Sequence, residues 1–381
     1  MEKALSKDTC TNLINPDFSK RITSLRFILA VLVVFIHCKI KDTINYTDGS
    51  LPLKIPFYAN LIQTIITNLF GGIAVPLFFI FSSYLFFAKP KSVKENIKSK
   101  FKTIVIPFIF WTVFTIFIYF IAQSFSFSRP YFSQSRNIIK NWQFMDYLKA
   151  FFAREDDDAW YPFVYQFWYL RNLLIFMIIS PVIKFFASRF SLSYFCTVLS
   201  IAILGRTGLF FDPLSISSSL FYYSLGFYAV KHIQKVLDFL DSIRWRDFAF
   251  SYILFATLSL FLTYTENKTA GMVAFACQIF TILLFIKLAG LFSKNENTFK
   301  KLSYLSTFSF WIYATHAPFV TSTINKLLPR IIPMKGPFIL LVFLSAGILT
   351  ISILLPVGIL LKKLLPGFFA FVTGGRKNRN F

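Results

Sequence analysis

Charge is scarce in this chain of 381 residues. Charged side chains make up 15% of it and hydrophobic ones 56%, with a mean hydropathy of +0.61. Because a soluble domain carries about a quarter charged residues, this composition excludes an ordinary soluble protein. The apolar residues fall in long runs, each about the length that crosses a bilayer. The sequence therefore predicts an all-α fold, a polytopic membrane helical bundle in contact with lipid.

Cysteine is also rare, and it shows no metal-binding or disulfide pattern. The four cysteines form no CxxC pair, and three of them lie in apolar runs: Cys10, Cys38, Cys196 and Cys277. This spacing is typical of small core residues and predicts neither a disulfide framework nor a metal site.

Acidic residues are few as well, at 17 against 40 basic ones, which leaves a net charge of +23. Such an excess can indicate nucleic-acid binding. Here, however, the basic residues lie between apolar spans, where membrane proteins collect them in cytoplasmic loops. We therefore expect no nucleic-acid partner.

About ten membrane-spanning helices are predicted from the apolar runs. They cover residues 24–41, 68–88, 103–125, 161–186, 190–205, 211–230, 247–265, 270–292, 304–324 and 337–361. No small-residue cleavage site follows the first run, which indicates a retained anchor. The lysine-rich segments "KPKSVKENIKSKFK" and "KHIQKVLDFLDSIRWR" place both termini in the cytoplasm by the positive-inside rule.

The prediction for domain organisation is one integral membrane domain over residues 1–381. It has a cytoplasmic N-terminal tail at 1–22, an extracytoplasmic loop at 126–160 and a basic cytoplasmic tail at 362–381. The loop contains "REDDDAWYP", the densest acidic cluster. This cluster is either a solvated loop or part of an acceptor-binding surface, and the sequence leaves both open.

Ionisable residues inside the apolar runs are the candidates for function, because burying them in a membrane is costly. Arg26 and His37 are eleven residues apart, which puts them on one helix face and roughly 16 Å apart along the axis. We expect Arg26 near the cytoplasmic surface and His37 near mid-membrane. The plainer alternatives are a snorkelling anchor for Arg26 and a packed, hydrogen-bonded histidine for His37.

Other polar residues are predicted at the same depth as His37. His316 and Arg171 lie about mid-span, and Ser82 and Ser83 lie at a similar level. Because the chain has only three histidines, two of them at one depth favour a buried polar chamber. Lys287 lies nearer a span end, where a snorkelling side chain is the favoured interpretation.

Five stretches, taken together and in this order, resemble the acyltransferase-3 family of integral membrane acyltransferases. They are the Arg26/His37 pair, "LFFIFSSYLFF", "KFKTIVIPFIFW", "FWYLRNLL" and "SFWIYATHAPF", with Gly226 matching a sixth-span pattern. The resemblance covers about residues 21–361. The chain departs from the family at Thr23 and Ser24, where Asp is frequent, at Ser83, where Gly is frequent, and in using lysine before the third span.

The resemblance implies transfer of an acyl group, usually acetyl, from cytoplasmic acyl-CoA to a hydroxyl of an envelope glycan or lipid-linked sugar. It implies a multi-pass protein of a bacterial inner (plasma) membrane that needs no metal. A cationic mouth for the donor phosphates would comprise Arg26, Lys98, Lys100 and Lys102.

In this reading His37 is the general base, assisted by Arg171, Tyr313 or His316, with no choice made among those three. Direct transfer and a transient acyl-histidine both stay open, as do the acceptor and the oligomeric state. The alternative class is a transporter or flippase of lipid-linked sugars, although no internal repeat is visible.

Overall fold

The computed structural model describes residues 13–41, 53–89, 93–132, 138–156, 159–206 and 212–375. These residues are predominantly helical, which confirms the predicted helical bundle. The described part of the chain departs from all-α in one place, where Arg154–Asp156 (β1) and Ala159–Tyr161 (β2) pair as an antiparallel hairpin. Residues 157 and 158 of the acidic cluster lie outside the described ranges.

Eighteen α-helices are described. In chain order they are α1 Pro16–Cys38, α2 Phe57–Thr64, α3 Ala74–Phe87, α4 Val93–Lys100, α5 Ile106–Ser124, α6 Arg129–Phe132, α7 Phe144–Phe152, α8 Trp168–Ile178, α9 Ser180–Arg189, α10 Ser191–Arg206, α11 Ile216–Ser242, α12 Trp245–Tyr264, α13 Ala270–Lys294, α14 Glu296–Ser306, α15 Ser309–Thr315, α16 Thr321–Ile331, α17 Phe338–Leu364 and α18 Pro366–Thr373.

Among the described residues, six helical stretches are long and apolar enough to cross a membrane. They are Pro16–Cys38, Phe57–Phe87, Glu95–Ser124, Trp245–Tyr264, Ala270–Lys294 and Phe338–Leu364. Helices α8 and α9, bent by 64° at their junction, make a seventh if counted as one span. The chain is thus a multi-pass membrane protein, and the predicted count of ten stays a prediction.

The first helix begins earlier than predicted. Asn15 caps it by accepting a hydrogen bond from the Phe18 backbone N–H, and Pro16 occupies the first turn, where its missing N–H costs nothing. Part of the expected tail is therefore helical. Arg26 is the eleventh of the 23 residues and His37 lies in the last turn, so the structure places Arg26 mid-helix and His37 at the helix end.

A buried ionic cluster ties the start of α1 to two other helices. The Arg21 side chain is fully buried, and its Nη2 lies 2.9 Å from an Asp17 carboxylate oxygen and 2.7 Å from one of Asp241. Its Nη1 donates to the Ile286 carbonyl oxygen at 3.2 Å. Gly290 leaves room for it, since an added Cβ would lie 2.9 Å from the guanidinium carbon. The cluster joins α1, α11 and α13 at one end of the bundle.

Helices α3 and α11 approach each other closely at Gly226. A Cβ there would lie 2.4 Å from the Ile80 carbonyl oxygen and 2.6 Å from the Ser83 Cβ. Glycine is therefore required at 226 for this contact, which seats α3 beneath the site described next.

Candidate active site

The bundle interior brings His37 and His316 together. Their ring centroids lie 5.2 Å apart, although one residue ends α1 and the other follows α15. Tyr165 contacts His37 from a third segment, the short helical turn Tyr165–Phe167, at 5.0 Å between centroids. Three segments thus bring two imidazole rings and a phenol ring into contact.

A break in the helix fixes how His316 hydrogen bonds. Because the residue before a proline avoids the helical region, Ala317 is extended (φ −127°, ψ 152°) ahead of Pro318. The His316 Nδ1 lies 3.0 Å from the Ile312 carbonyl oxygen and 2.9 Å from that of Tyr313. A carbonyl oxygen only accepts, so Nδ1 carries the hydrogen and Nε2 keeps its lone pair.

Tyr313 and Gln166 hold the broken helix against α8. The Tyr313 hydroxyl donates to the Gln166 backbone oxygen at 2.6 Å. In return the Gln166 side-chain Nε2 donates to the carbonyl oxygen of Ala317. Tyr313 therefore belongs to the histidine cluster, and its hydroxyl hydrogen is held by a backbone acceptor.

Arg26 lies farther along α1, beside a second group of polar side chains. It is within electrostatic range of Tyr169, whose hydroxyl is 3.0 Å from the Ser82 hydroxyl. The Tyr169 ring is in turn 6.1 Å from that of Tyr313. Polar groups thus run from Arg26 to the histidine pair.

Arg26 and His37 are each half-buried among the helices, so part of each residue stays accessible. His316, by contrast, is completely buried.

Arg171 does not join this cluster. Its Nη1 donates to the carbonyl oxygens of Phe152 at 2.7 Å and Trp160 at 2.6 Å, and its Nη2 donates to that of Leu214 at 2.9 Å. These acceptors belong to connecting segments around α7, β2 and the start of α11. The guanidinium therefore holds the end of α7, β2 and the start of α11 together, and its hydrogen bonds within the described residues do not involve His37.

The lysines predicted to bind donor phosphates lie at the surface. Lys98 and Lys102 are exposed and Lys100 is half-buried, on α4 and the turn that follows it. Asn96 fixes this segment to the end of α3 by donating to the Phe86 carbonyl oxygen at 2.9 Å. The cations thus stand where the chain leaves α3, separate from the interior position of Arg26.

Lys287 does not snorkel freely, contrary to the favoured interpretation. It is only 3% exposed, and its ammonium donates to the carbonyl oxygens of Leu240 and of Ile243, the latter at 2.8 Å. It also lies 4.8 Å from the Trp245 ring centroid. Lys287 therefore satisfies the free carbonyl groups that end α11.

Three residues of the cluster were missed from sequence: Tyr165, Gln166 and Tyr169. They occupy "YQFWY", which overlaps the start of the "FWYLRNLL" motif. An amide directly before that motif in an apolar segment was the available signal. No group of metal-ligating side chains occurs in the described ranges, so the expectation of no metal rests on the sequence alone.

Comparison with known proteins identifies related sequences. A family model described as an acyltransferase domain matches residues 19–356. The succinoglycan biosynthesis protein ExoH of Rhizobium meliloti (strain 1021) is 24% identical over 377 residues, which cover 95% of this chain and 94% of that protein. No solved structure matches.

Proposed function

The chain belongs to the acyltransferase-3 family, and from that premise we propose that it transfers an acyl group, expected to be acetyl, from cytoplasmic acyl-CoA to a hydroxyl of an envelope polysaccharide. The polysaccharide is supported by the relative named for succinoglycan biosynthesis. The proposed setting is a bacterial inner membrane.

One observation carries the proposal: two imidazoles meet inside the bundle, 5.2 Å apart, and His37 stays partly accessible. An imidazole is costly to hold in an apolar interior and is the commonest general base in enzymes. The pairing of two such groups supports a catalytic role.

The proposed chemistry uses His37 as the base. A His37 nitrogen takes the proton of the acceptor hydroxyl while the hydroxyl oxygen attacks the thioester carbonyl carbon. The new C–O bond forms, the C–S bond breaks, and the imidazolium returns its proton to the departing thiolate. His316, adjacent and with its Nε2 lone pair available, can accept a hydrogen bond from the acceptor hydroxyl or from the imidazolium that forms at His37.

Arg26 and the surface lysines are proposed to bind opposite ends of the acyl-CoA donor. Lys98, Lys100 and Lys102 present ammonium groups to the nucleotide phosphates, as point charges without a guanidinium fork. Arg26, half-buried beside Tyr169 on the path to the histidines, is proposed to meet the arm or its thioester. This assignment differs from the expectation that Arg26 binds phosphate at the surface, because the structure puts it mid-helix.

The experiment is acyl transfer by the purified full chain in lipid nanodiscs. Radiolabelled acetyl-CoA is supplied with oligosaccharides from the producing cell's own surface polysaccharide, freed of acyl groups by mild alkali. Label in the oligosaccharide and release of free CoA are expected. Intact acetyl-CoA after prolonged incubation would contradict the proposal.

Two alternatives give different results in the same assay. If His37 carries the acyl group covalently, label stays on the protein when donor is added alone. The broken helix at His316 is also a feature of transporters, and a flippase would leave the thioester untouched.

A further inference from the structure

Two buried hydrogen-bond acceptors in the histidine cluster have no donor among the residues the structure describes. They are the Gln166 Oε1 and the His316 Nε2. Gln166 is 3% exposed and His316 is 0% exposed. An unsatisfied buried acceptor is costly, and native proteins keep few of them.

The chemical identity of both atoms follows from their neighbours. The Gln166 amide has its other atom against the Ala317 carbonyl oxygen, so that atom is the nitrogen and the free atom is the oxygen. The His316 Nδ1 faces two carbonyl oxygens, so the free nitrogen is the unprotonated one. Neither atom can turn into a donor without breaking an existing bond.

The two acceptors belong to segments that are bonded to each other. The amide of Gln166 is bonded to Ala317, the residue that follows His316 in the chain. His316 in turn contacts His37, part of which stays accessible. Other unpartnered groups nearby, such as the Thr321 hydroxyl, can donate or accept by rotation and so do not select a ligand.

We propose that Gln166 Oε1 and His316 Nε2 form a binding subsite for hydroxyl groups of the carbohydrate acceptor. A ligand that satisfies both must bring O–H or N–H donors. The acceptor hydroxyls have them, whereas the thioester group has none. The amide N–H groups of the donor's pantetheine arm are the competing source, but by the proposed function, on which this inference rests, the hydroxyl is the group that reacts beside His37.

The kinetic test compares two buried glutamines. Gln166→Leu removes the free acceptor, while Gln123→Leu removes an equally buried amide whose Oε1 and Nε2 bond to Ile139 N–H and the Phe132 carbonyl oxygen. The Michaelis constants for acetyl-CoA and for the de-acylated oligosaccharides are measured for both. Gln166→Leu is expected to raise the oligosaccharide constant about tenfold, the loss of one good hydrogen bond, without raising the acetyl-CoA constant.

A rise in the acetyl-CoA constant alone would assign the pair to the pantetheine arm and overturn the proposal, and so would no change in either constant. The same increase in Gln123→Leu would show a general packing effect and also overturn it. If wild-type protein consumes no acetyl-CoA, the proposed function itself fails, which is a different result from any of these.

A second measurement needs no Gln166 variant. The chain has three histidines, so ¹⁵N-histidine labelling gives few resonances, assigned with His232→Asn and His37→Asn. The His316 Nε2 resonance is expected to move when the oligosaccharide is added and to stay when CoA is added. Movement with CoA alone, or with neither, would overturn the subsite even if Gln166→Leu does not fold.

Discussion

At the scale of single residues, the exposed His232 is a control for substitution of His37. His37 and His316 are in contact inside the bundle, whereas His232 is exposed on α11. His37→Ala is expected to lower kcat by about 10²–10⁴, the usual contribution of a positioned base. The same change at His232 should leave the acetylation rate near wild type. Comparable rates in His37→Ala and wild type, with equal amounts of inserted protein, would remove His37 from the mechanism.

Substitution of Arg26 distinguishes two possible roles for this residue, a membrane anchor and a substrate-binding group. As a half-buried charge beside Tyr169 on the way to the histidines, it is expected to contact the donor. Arg26→Ala should raise the Michaelis constant for acetyl-CoA by about ten- to a hundredfold, as for a hydrogen bond to a charged group. Arg26→Lys should recover part of that affinity. A donor constant unchanged in Arg26→Ala would return Arg26 to the role of a membrane anchor.

At the scale of elements, the break after α15 decides the state of His316. Pro318 keeps Ala317 out of the helix, and the Tyr313 carbonyl oxygen is then available to the His316 ring. In Pro318→Ala the helix can continue, and the Ala317 N–H competes for that oxygen. We expect lower kcat without loss of folded protein, measured beside Pro329→Ala, a proline inside α16. Equal kcat in Pro318→Ala and wild type would show that the helix break does not determine the hydrogen bonding of the His316 ring.

The ionic cluster at the start of α1 is expected to stabilise the bundle. Partial burial alone would raise the pKa of Asp241, but the hydrogen bond and charge of Arg21 outweigh it and hold that pKa below its ordinary value. Asp241→Asn should lower the free energy of unfolding by about 1 kcal/mol, a modest figure because Asp17 still faces Arg21. Denaturation midpoints measure it, with Asp247→Asn, an exposed partner of Arg244, as control.

The sign of the pH dependence follows from the lowered pKa. A carboxyl that is more acidic in the folded state stabilises fully above its unfolded pKa, about 4, and loses that contribution as the pH falls through the lower folded value. The difference between wild type and Asp241→Asn should therefore shrink below about pH 4. A difference that persists at lower pH would mean that the Asp241 charge is not its source.

Sequence pattern was sufficient for most helices but not for their contacts. Apolar runs show where helices lie, while the start of α1 was missed because Asn15 and Pro16 stand among polar residues. The positions of His37 and His316 along their two spans indicated from sequence that both lie at one depth. Arg171 had the same apparent depth, yet its acceptors are carbonyl oxygens of segments distant in sequence, and no local pattern shows which loops meet.

At the scale of the whole molecule, contacts at the helix ends constrain how the chain crosses the membrane. The Leu13 N–H bonds to Ala88 at the end of α3, and Gly374 lies against Thr103 just before α5. Both described chain ends therefore lie at the same end of the bundle. Lys294, at the end of α13, joins them through Asp241. Six alternating crossings by the six long helices alone would put Lys294 at the opposite end, so additional helices must cross between α5 and α12.

This constraint is met by the predicted topology of ten crossings, which is testable at two loops. In a variant without native cysteines, Asn267→Cys precedes α13 and Asn297→Cys follows it, and both positions are exposed. A membrane-impermeant maleimide is expected to label position 267 in intact cells and position 297 only after permeabilisation. Because Asp241 joins Arg21 near the start of α1 to Lys294 at the end of α13, the start of α1 must lie on the same side of the membrane as position 297. Labelling of position 297 but not 267 in intact cells would show the opposite orientation. The start of α1 would then face away from the cytoplasm, which would contradict the proposed direction of transfer from cytoplasmic acyl-CoA.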